Sequence, residues 1–341
     1  MRVAHIMAGA PVGGAELFFE RLTVALHRAG ETVLPIIRAN EARAARLAAG
    51  GLRARELGFG GPADILTGPR LRRLLRRFGP RVAVAWMNRA ASFAPRGDWA
   101  LAGRLGGYYD LSYYSRCDHL IGNTGGIVSW IVGQGWPDSR VHYVPNFVQD
   151  LAGAPPLARE SLGVPPGHRL ILALGRLHRN KGFDVLIRAL PLLSGVHAVI
   201  AGEGPEQEEL LELARRQDVT DRLTLPGWRH DTAALLATAD VVVCPSRHEP
   251  LGNVVIEAWS ARRPVVAAAS EGPRELIVGG EGVLVPPEDP AALARELAAI
   301  LDDPRRAAAL VATGRARFER EFAEAPVVER WRDFLGAVEK T

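Results

Sequence analysis

Two carboxylates, Glu249 and Glu257, bracket the stretch of this chain whose residue types and spacing best suit chemistry. Before them, Asp240–Cys244 reads as a short buried strand ended by Pro245-Ser246. After the first, Val254–Ala261 reads as a helix stopped by Pro264. The loop between holds Pro250, Gly252 and Asn253, residues suited to turns and unusual backbone angles. Such a loop ends where the unpaired backbone N–H groups of a new helix point outward, and these, with the helix dipole, favour an anion. A carboxylate next to bound phosphate is repelled, so Glu249 and Glu257 suit hydroxyl groups better. A ligand with phosphate in the middle and hydroxyls at both ends, such as a nucleotide sugar, fits this order. The spacing alone also allows a solvated helix face plus a loop carboxylate.

Glu249-Pro250-Leu251-Gly252-Asn253-Val254-Val255-Ile256-Glu257 resembles the E-x7-E signature of the retaining glycosyltransferases of family 4. Four further stretches agree in order. Gly13-Gly14-Ala15-Glu16 resembles the family's N-terminal glycine loop, and Gly175-Arg176-Leu177 followed by Lys181–Ile187 its phosphate clamp. Ala201–Pro205 and Gly272–Ile277 follow in the expected places. The match is dense from Leu170 to Leu301 and thin before it.

The resemblance implies an α/β protein of GT-B fold, two Rossmann-like parallel-sheet domains facing each other across a donor/acceptor cleft. It implies transfer of a hexose-type sugar from a UDP- or GDP-sugar to a hydroxyl of a glycan or glycolipid, with retention, in cell-envelope polysaccharide or lipopolysaccharide biosynthesis. Glu257 would hold the ribose hydroxyls, while Glu249 and the backbone of Leu251, Gly252 and Asn253 would hold the donor sugar. The leaving phosphate itself would take the acceptor proton. Gly13, Gly14 and Gly202 would lie against the donor, and Arg229 near the base. The acceptor region would be the irregular stretch Trp86–Tyr114, with Arg89, Arg104 and Tyr108. Gly106 stands where the family often has a histidine, and His119 is the nearest substitute. His119 also begins the strand His119–Gly122, where a structural role is the ordinary one.

No Asp-x-Asp pair is present to hold a metal on a diphosphate, so neither metal nor cofactor is expected and the compensating charge must come from the protein. Arg176 and Lys181 follow the strand Leu170–Leu174, at the carboxyl edge where open α/β sheets bind ligands. A planar guanidinium fork and a compact ammonium can neutralise separate oxygens of one diphosphate. The chain has 40 arginines and two lysines, Lys181 and Lys340, so a lysine within the clamp stands against a strong bias. Because Lys181 falls on a loop, its loss is expected to leave stability nearly unchanged. Two solvated loop cations are the alternative.

With 341 residues, 48% hydrophobic and 23% charged, the chain has the size and composition of a two-domain globular enzyme. Cys117 and Cys244 show neither metal nor redox spacing, which fits a reducing cytoplasm. The start, Met1–Ile6, reads as a first strand and not as a signal peptide, and no apolar run is long enough to span a membrane. The charge is uneven: residues 1–150 hold 19 arginines against 11 acids, and residues 151–341 hold 23 basic against 27 acidic side chains. The first half should attract acidic partners. Nucleic acid is disfavoured, since no binding module or aromatic-interleaved basic stripe occurs.

Alternating strand and helix patterns give the domain plan: residues 1–147, a proline-rich linker over 148–166, a second domain over 167–322, and a terminal helix over 323–341 that returns to the first domain. In the first half the strand Leu52–Leu57 precedes a helix over Asp64–Phe78. On that helix Leu71, Leu74, Leu75 and Phe78 take one face, and Arg70, Arg72, Arg73, Arg76 and Arg77 the other. The arginine face is either solvated or a contact with an anionic membrane at the inner face of the cytoplasmic membrane. A catalytically inactive nucleotide-sugar-binding module and a sugar-nucleotide epimerase stay open as functions. A nicotinamide dehydrogenase is disfavoured because neither half has the glycine fingerprint with its ribose acid.

Overall fold

The computed structural model describes residues 1–11, 13–61 and 64–338. By its internal packing the chain divides into two compact units, Met1–Phe147 with Glu324–Thr341, and Val148–Ala323.

The first unit runs β1 (Arg2–Met7), α1 (Gly14–Arg28), β2 (Thr32–Arg38), α2 (Glu41–Ala49), β3 (Arg55–Leu57), α3 (Thr67–Phe78), β4 (Val82–Trp86), α4 (Met87–Phe93), β5 (Ala100–Leu105), β6 (His119–Gly122), α5 (Gly125–Gly133) and β7 (Val141–Tyr143). The second runs β8 (Arg169–Leu174), α6 (Phe183–Ala189), β9 (Val196–Ala201), α7 (Gln207–Arg216), β10 (Leu223–Thr224), α8 (Thr232–Thr238), β11 (Val241–Cys244), α9 (Asn253–Ser260), β12 (Val265–Ala268), α10 (Glu271–Leu276), β13 (Val283–Val285), α11 (Pro290–Leu301) and α12 (Pro304–Arg317). The last helix, α13 (Glu324–Val338), belongs to the first unit.

The sheet orders are β3-β2-β1-β4-β5-β6-β7 and β10-β9-β8-β11-β12-β13. Every pairing is parallel. Parallel strands covered by helices on both faces need apolar side chains in both directions, which explains runs such as Val82–Trp86, buried throughout. Alternate residues feed opposite layers: Val3 and Met7 join one core of the first sheet, Ala4 and Ile6 the other. In the second sheet Ile171 and Ala173 face one core, Leu170 and Leu172 the other. Strand order reverses between β1 and β4 in one sheet and between β8 and β11 in the other, which opens a crevice at the carboxyl edge of each.

Four expectations need correcting. Trp86–Tyr114 is regular, comprising α4, β5 and a 3-10 turn at Leu111–Tyr114. Its alanines and glycine hid a strand that neighbours on both sides bury completely. Residues 148–166 are not a free linker: Val148, Leu162 and Val164 are buried, and Leu157 N donates to Thr238 Oγ1 at 2.8 Å. The strand expected over Leu52–Leu57 is the short edge strand β3. The helix expected from Asp64 starts at Thr67, because the Asp64 carboxylate accepts from Gly60 N (2.7 Å) and Thr67 N (3.0 Å) and closes a turn.

On α13, Val327, Trp331, Phe334, Leu335 and Val338 are buried in the first unit, and Trp331 stacks on Trp86 with ring centres 6.1 Å apart. Among the described residues no helix is long and apolar enough to cross a membrane.

Candidate active site

The crevice of the second sheet is walled by the loops that follow its two central strands, Gly175–Gly182 after β8 and Pro245–Gly252 after β11. Several bonds hold these loops together. Arg247 N and His248 N both donate to Asn180 O, at 2.8 and 3.2 Å. The Arg247 guanidinium forks onto Asp184 of α6 (2.7 and 2.9 Å) and also reaches Glu288 (2.8 Å). A bidentate, partly buried pair of this kind fixes geometry as well as charge. Nothing in the sequence singles out Arg247 and Asp184; only their closeness in space gives them meaning.

Glu249 is held by four hydrogen bonds among the described residues. Its N–H donates to Glu271 Oε2 at 3.2 Å, and its carbonyl accepts from Gly272 N at 2.8 Å. Its Oε1 accepts from Gly252 N at 3.2 Å, and its Oε2 accepts from Lys181 Nζ at 2.5 Å. The Glu271 carboxylate also meets His248 Nδ1 at 2.8 Å. Burial works against the Glu271 charge, but backbone N–H groups and His248 outweigh it and hold the carboxyl below its ordinary range. For Lys181 the largest effect is likewise burial, which opposes the ammonium. The Glu249 carboxylate, with smaller help from Cys244 and Glu257, overcomes this and raises its pKa.

Gly252 begins α9 in the left-handed conformation, φ 87°, which a side chain would resist. Val255 N turns back to Gly252 O at 2.9 Å, so the N–H groups of Asn253 and Val254 are those left at the helix start. Leu251 is buried and Asn253 half-buried. Glu257 lies one turn further along α9, also half-buried. Arg176 is exposed at the head of the first loop. Arg176, Lys181, Glu249, Leu251, Gly252, Asn253 and Glu257 thus gather at the two loops flanking one switch point. Chemically the cluster offers two cations, two helix N–H donors and two carboxylates.

Other expected residues have different surroundings. Gly202 follows β9, and a Cβ there would lie 1.8 Å from Gly175 O, so its lack of a side chain serves loop-to-loop packing. Arg229 is forked onto Asp231 (2.8 and 2.5 Å), while the neighbouring Trp228 is 51% exposed. Gly13 and Gly14 stand at the start of α1, where the buried Glu16 carboxylate accepts from Ala10 N at 2.7 Å and occupies the loop.

Of the acceptor candidates in the first unit, Arg89, Arg104 and Gly106 lie toward the carboxyl edge of its sheet, whereas His119 opens β6 at the other edge. Arg104 is not in a loop; it lies on β5, buried, with its guanidinium 4.7 Å from the Trp86 ring centre and 5.1 Å from that of Phe18, and donates to Asn146. Burial pulls its pKa down to about 10. Gly106 follows the end of β5. Tyr108 packs edge-on against Trp130. His119 opens β6 and meets His142 at 3.1 Å. Arg89 is exposed on α4. On α3, Arg70, Arg72, Arg73, Arg76 and Arg77 are all exposed, and Ile65 and Leu66 just before it are exposed too.

The profile described as glycosyl transferases group 1 matches residues 168–303, the span that carries this site. Two proteins of Rhizobium meliloti (strain 1021) are similar along their whole length. The lipopolysaccharide core biosynthesis glycosyltransferase LpsD is 32% identical over 344 residues, covering 98% of each chain. LpsE, described in the same words, is 32% identical over 343 residues, covering 99% of each. Among solved structures, Anabaena Alr3699/HepE in complex with UDP and glucose superposes with a TM-score of 0.81 at 21% identity, covering 99% of this chain and 100% of that one. That likeness is one of fold, the two-sheet GT-B architecture expected from the sequence. On the profile match and the full-length likeness to LpsD and LpsE, this chain belongs to the group 1 glycosyltransferases.

Proposed function

We propose that the protein transfers a hexose-type sugar from a UDP- or GDP-sugar to a hydroxyl of a glycan or lipid-linked acceptor in lipopolysaccharide biosynthesis, with retention and without a metal. The observation that carries the reading is the convergence of Lys181, Glu249, Arg176 and the start of α9 on one switch point. The full-length likeness to LpsD and LpsE supports the lipopolysaccharide context.

In this reading the diphosphate lies over the α9 N–H groups, where negative charge is favoured, and Arg176 and Lys181 neutralise its oxygens. Lys181, held by Glu249, and the α9 N–H groups would stabilise the charge that develops on the leaving phosphate with little reorganisation, and the exposed Arg176 would close onto it. Glu249, oriented by Glu271, Gly252 and Gly272, accepts hydrogen bonds from the donor sugar. Glu257 accepts from the ribose. The leaving phosphate takes the acceptor proton on the face of attack, so no protein nucleophile is required. Trp228 offers an exposed ring on the same sheet edge for the base. The arginine face of α3, with Ile65 and Leu66 beside it, suits an anionic membrane surface where a lipid-linked acceptor resides.

Calorimetry with UDP and GDP, followed by transfer assays with the matched sugars, tests this. Glu257→Ala should weaken free nucleotide by about 1.5–3 kcal/mol, the worth of a hydrogen bond to a charged group, whereas Glu249→Ala should mainly lower turnover. Unchanged nucleotide affinity in Glu257→Ala would sink the ribose assignment. NMR of the product's anomeric proton decides retention, and a rate that survives EDTA decides metal independence.

A further inference from the structure

The first sheet has its own crevice at the carboxyl edge, beside the switch between β1 and β4. A pocket of about 310 Å³ opens there, lined by the loop after β1, by Arg38 at the end of β2, by Met87, Asn88 and Arg89 at the start of α4, and by Tyr109. Among the described residues no acidic side chain lines it. Arg38 and Arg89 are exposed, and neither side chain makes a hydrogen bond or ion pair among the described residues. Met87 holds φ 64°, a left-handed backbone that a non-glycine residue rarely adopts and that tends to occur at functional sites.

Behind this pocket lies a third cation. Arg104 and the Tyr109 hydroxyl both border Gly106, whose Cβ would lie 3.7 Å from Arg104 Nη1 and 3.9 Å from the Tyr109 oxygen. Arg104 is 2% exposed, its hydrogen-bond partners are the neutral oxygens of Asn146 and Leu105, and among the described residues its Nε has no partner. A buried guanidinium without a carboxylate leaves its field uncancelled. The acid that Tyr109 senses, Glu16, is turned into the loop after β1, where it accepts from Ala10 N. Burial raises the Tyr109 pKa, so the phenol stays protonated as a donor.

We propose that this pocket binds an acceptor sugar carrying an anionic group, a phosphate monoester or a carboxylate, with Arg38 and Arg89 in contact with the anion and Tyr109 donating to it. The proposal rests on the reading that the chain is a sugar transferase, because it names the class of that reaction's acceptor. Arg104 acts through its field on the same anion and is not a contact.

The test uses the full chain carrying Arg176→Ala and Lys181→Ala, so that anions cannot register at the second sheet. Glucose 6-phosphate, glucuronate and methyl glucoside are titrated by calorimetry. One or both anions should bind and the neutral glycoside should not; which anion binds tells phosphate from carboxylate. Arg38→Gln and Arg89→Gln should each weaken the anion about tenfold or more, with unchanged circular dichroism and melting. Equal binding of the neutral glycoside, no binding of either anion, or anion binding that survives both substitutions overturns the proposal. Titrating UDP into the otherwise unaltered chain separates the two readings. UDP binding without anion binding sinks only the pocket, and the reverse result sinks only the donor site.

Discussion

Replacing Lys181 tests the proposed donor site most sharply, because the residue has both a structural partner and a proposed chemical role. Its ammonium lies 2.5 Å from Glu249, with 27% and 13% of the two side chains exposed. Among the described residues, Lys181→Met leaves the Glu249 carboxylate with only the Gly252 N–H. Breaking a buried pair costs about 3–5 kcal/mol and an exposed one about 0–1, so a pair that is mostly buried should cost about 2 kcal/mol. In a unit the size of Val148–Ala323 that lowers Tm by about 4–8 °C. The expectation that a loop lysine would leave stability untouched is therefore revised by its partner. Turnover should fall further, by about 10²–10³, as for loss of a preorganised charge contact. Lys181→Arg keeps the charge but brings a larger fork, so it should keep most of the Tm and still lose turnover. Adding Glu249→Gln to Lys181→Met should restore much of the stability and none of the rate. Calorimetric unfolding and single-turnover sugar transfer measure the two effects. If Lys181→Arg transfers sugar at nearly the wild-type rate, the chemical role is refuted. If the double variant recovers rate along with stability, Lys181 is only a tether for Glu249.

The stability that this pair contributes should hold below the ordinary lysine pKa of about 10.4 and be lost only as pH rises through the raised value, so thermal unfolding of the second unit should show no Lys181 titration between about pH 6 and 9. His5 should act in acid. It is fully buried among Phe19, Trp86 and Trp331, accepts from Trp86 Nε1 at 3.2 Å, and burial lowers its pKa from 6.5 to about 3. The unfolded chain then binds the extra proton, so stability is present above about pH 6.5 and falls below it by up to about 1.4 kcal/mol per pH unit. Urea unfolding at pH 7 and pH 5 should show the loss and His5→Phe should flatten it; an equal slope in the variant assigns the effect elsewhere. For the membrane surface, flotation with anionic liposomes should be lost at moderate salt when Arg72, Arg73, Arg76 and Arg77 become Gln, at about 1 kcal/mol per arginine, and reduced when Ile65 and Leu66 become Ser. A wild-type chain that never floats ends that idea.

Most of the proposed donor site is legible in the sequence because its pieces are local. A strand, a turn with Gly252 and a helix starting at Asn253 are set by nearby residues, and their order at a carboxyl edge follows from parallel topology. The alternation of buried runs and amphipathic helices likewise implies the two parallel sheets. The region Trp86–Tyr114 is not legible in this way: β5 reads Ala-Leu-Ala-Gly-Arg-Leu, with weak strand propensity and a charge, and becomes a strand because β4 and β6 pair with it.

Residue type and short spacing are local properties of the chain, and they suffice to nominate side chains for a diphosphate and its hydroxyls. They do not say what each charge faces, and that is fixed only by the folded arrangement. Lys181 and Glu249, 68 positions apart, form one pair; Arg247 ties two loops through Asp184; Glu16 fills the loop whose glycines resembled a ligand cradle. Arg104, expected in an acceptor loop, is buried instead against Trp86 and Phe18. A charge takes its meaning from the dielectric and the partners around it, and in a parallel sheet those come from strands far apart in sequence.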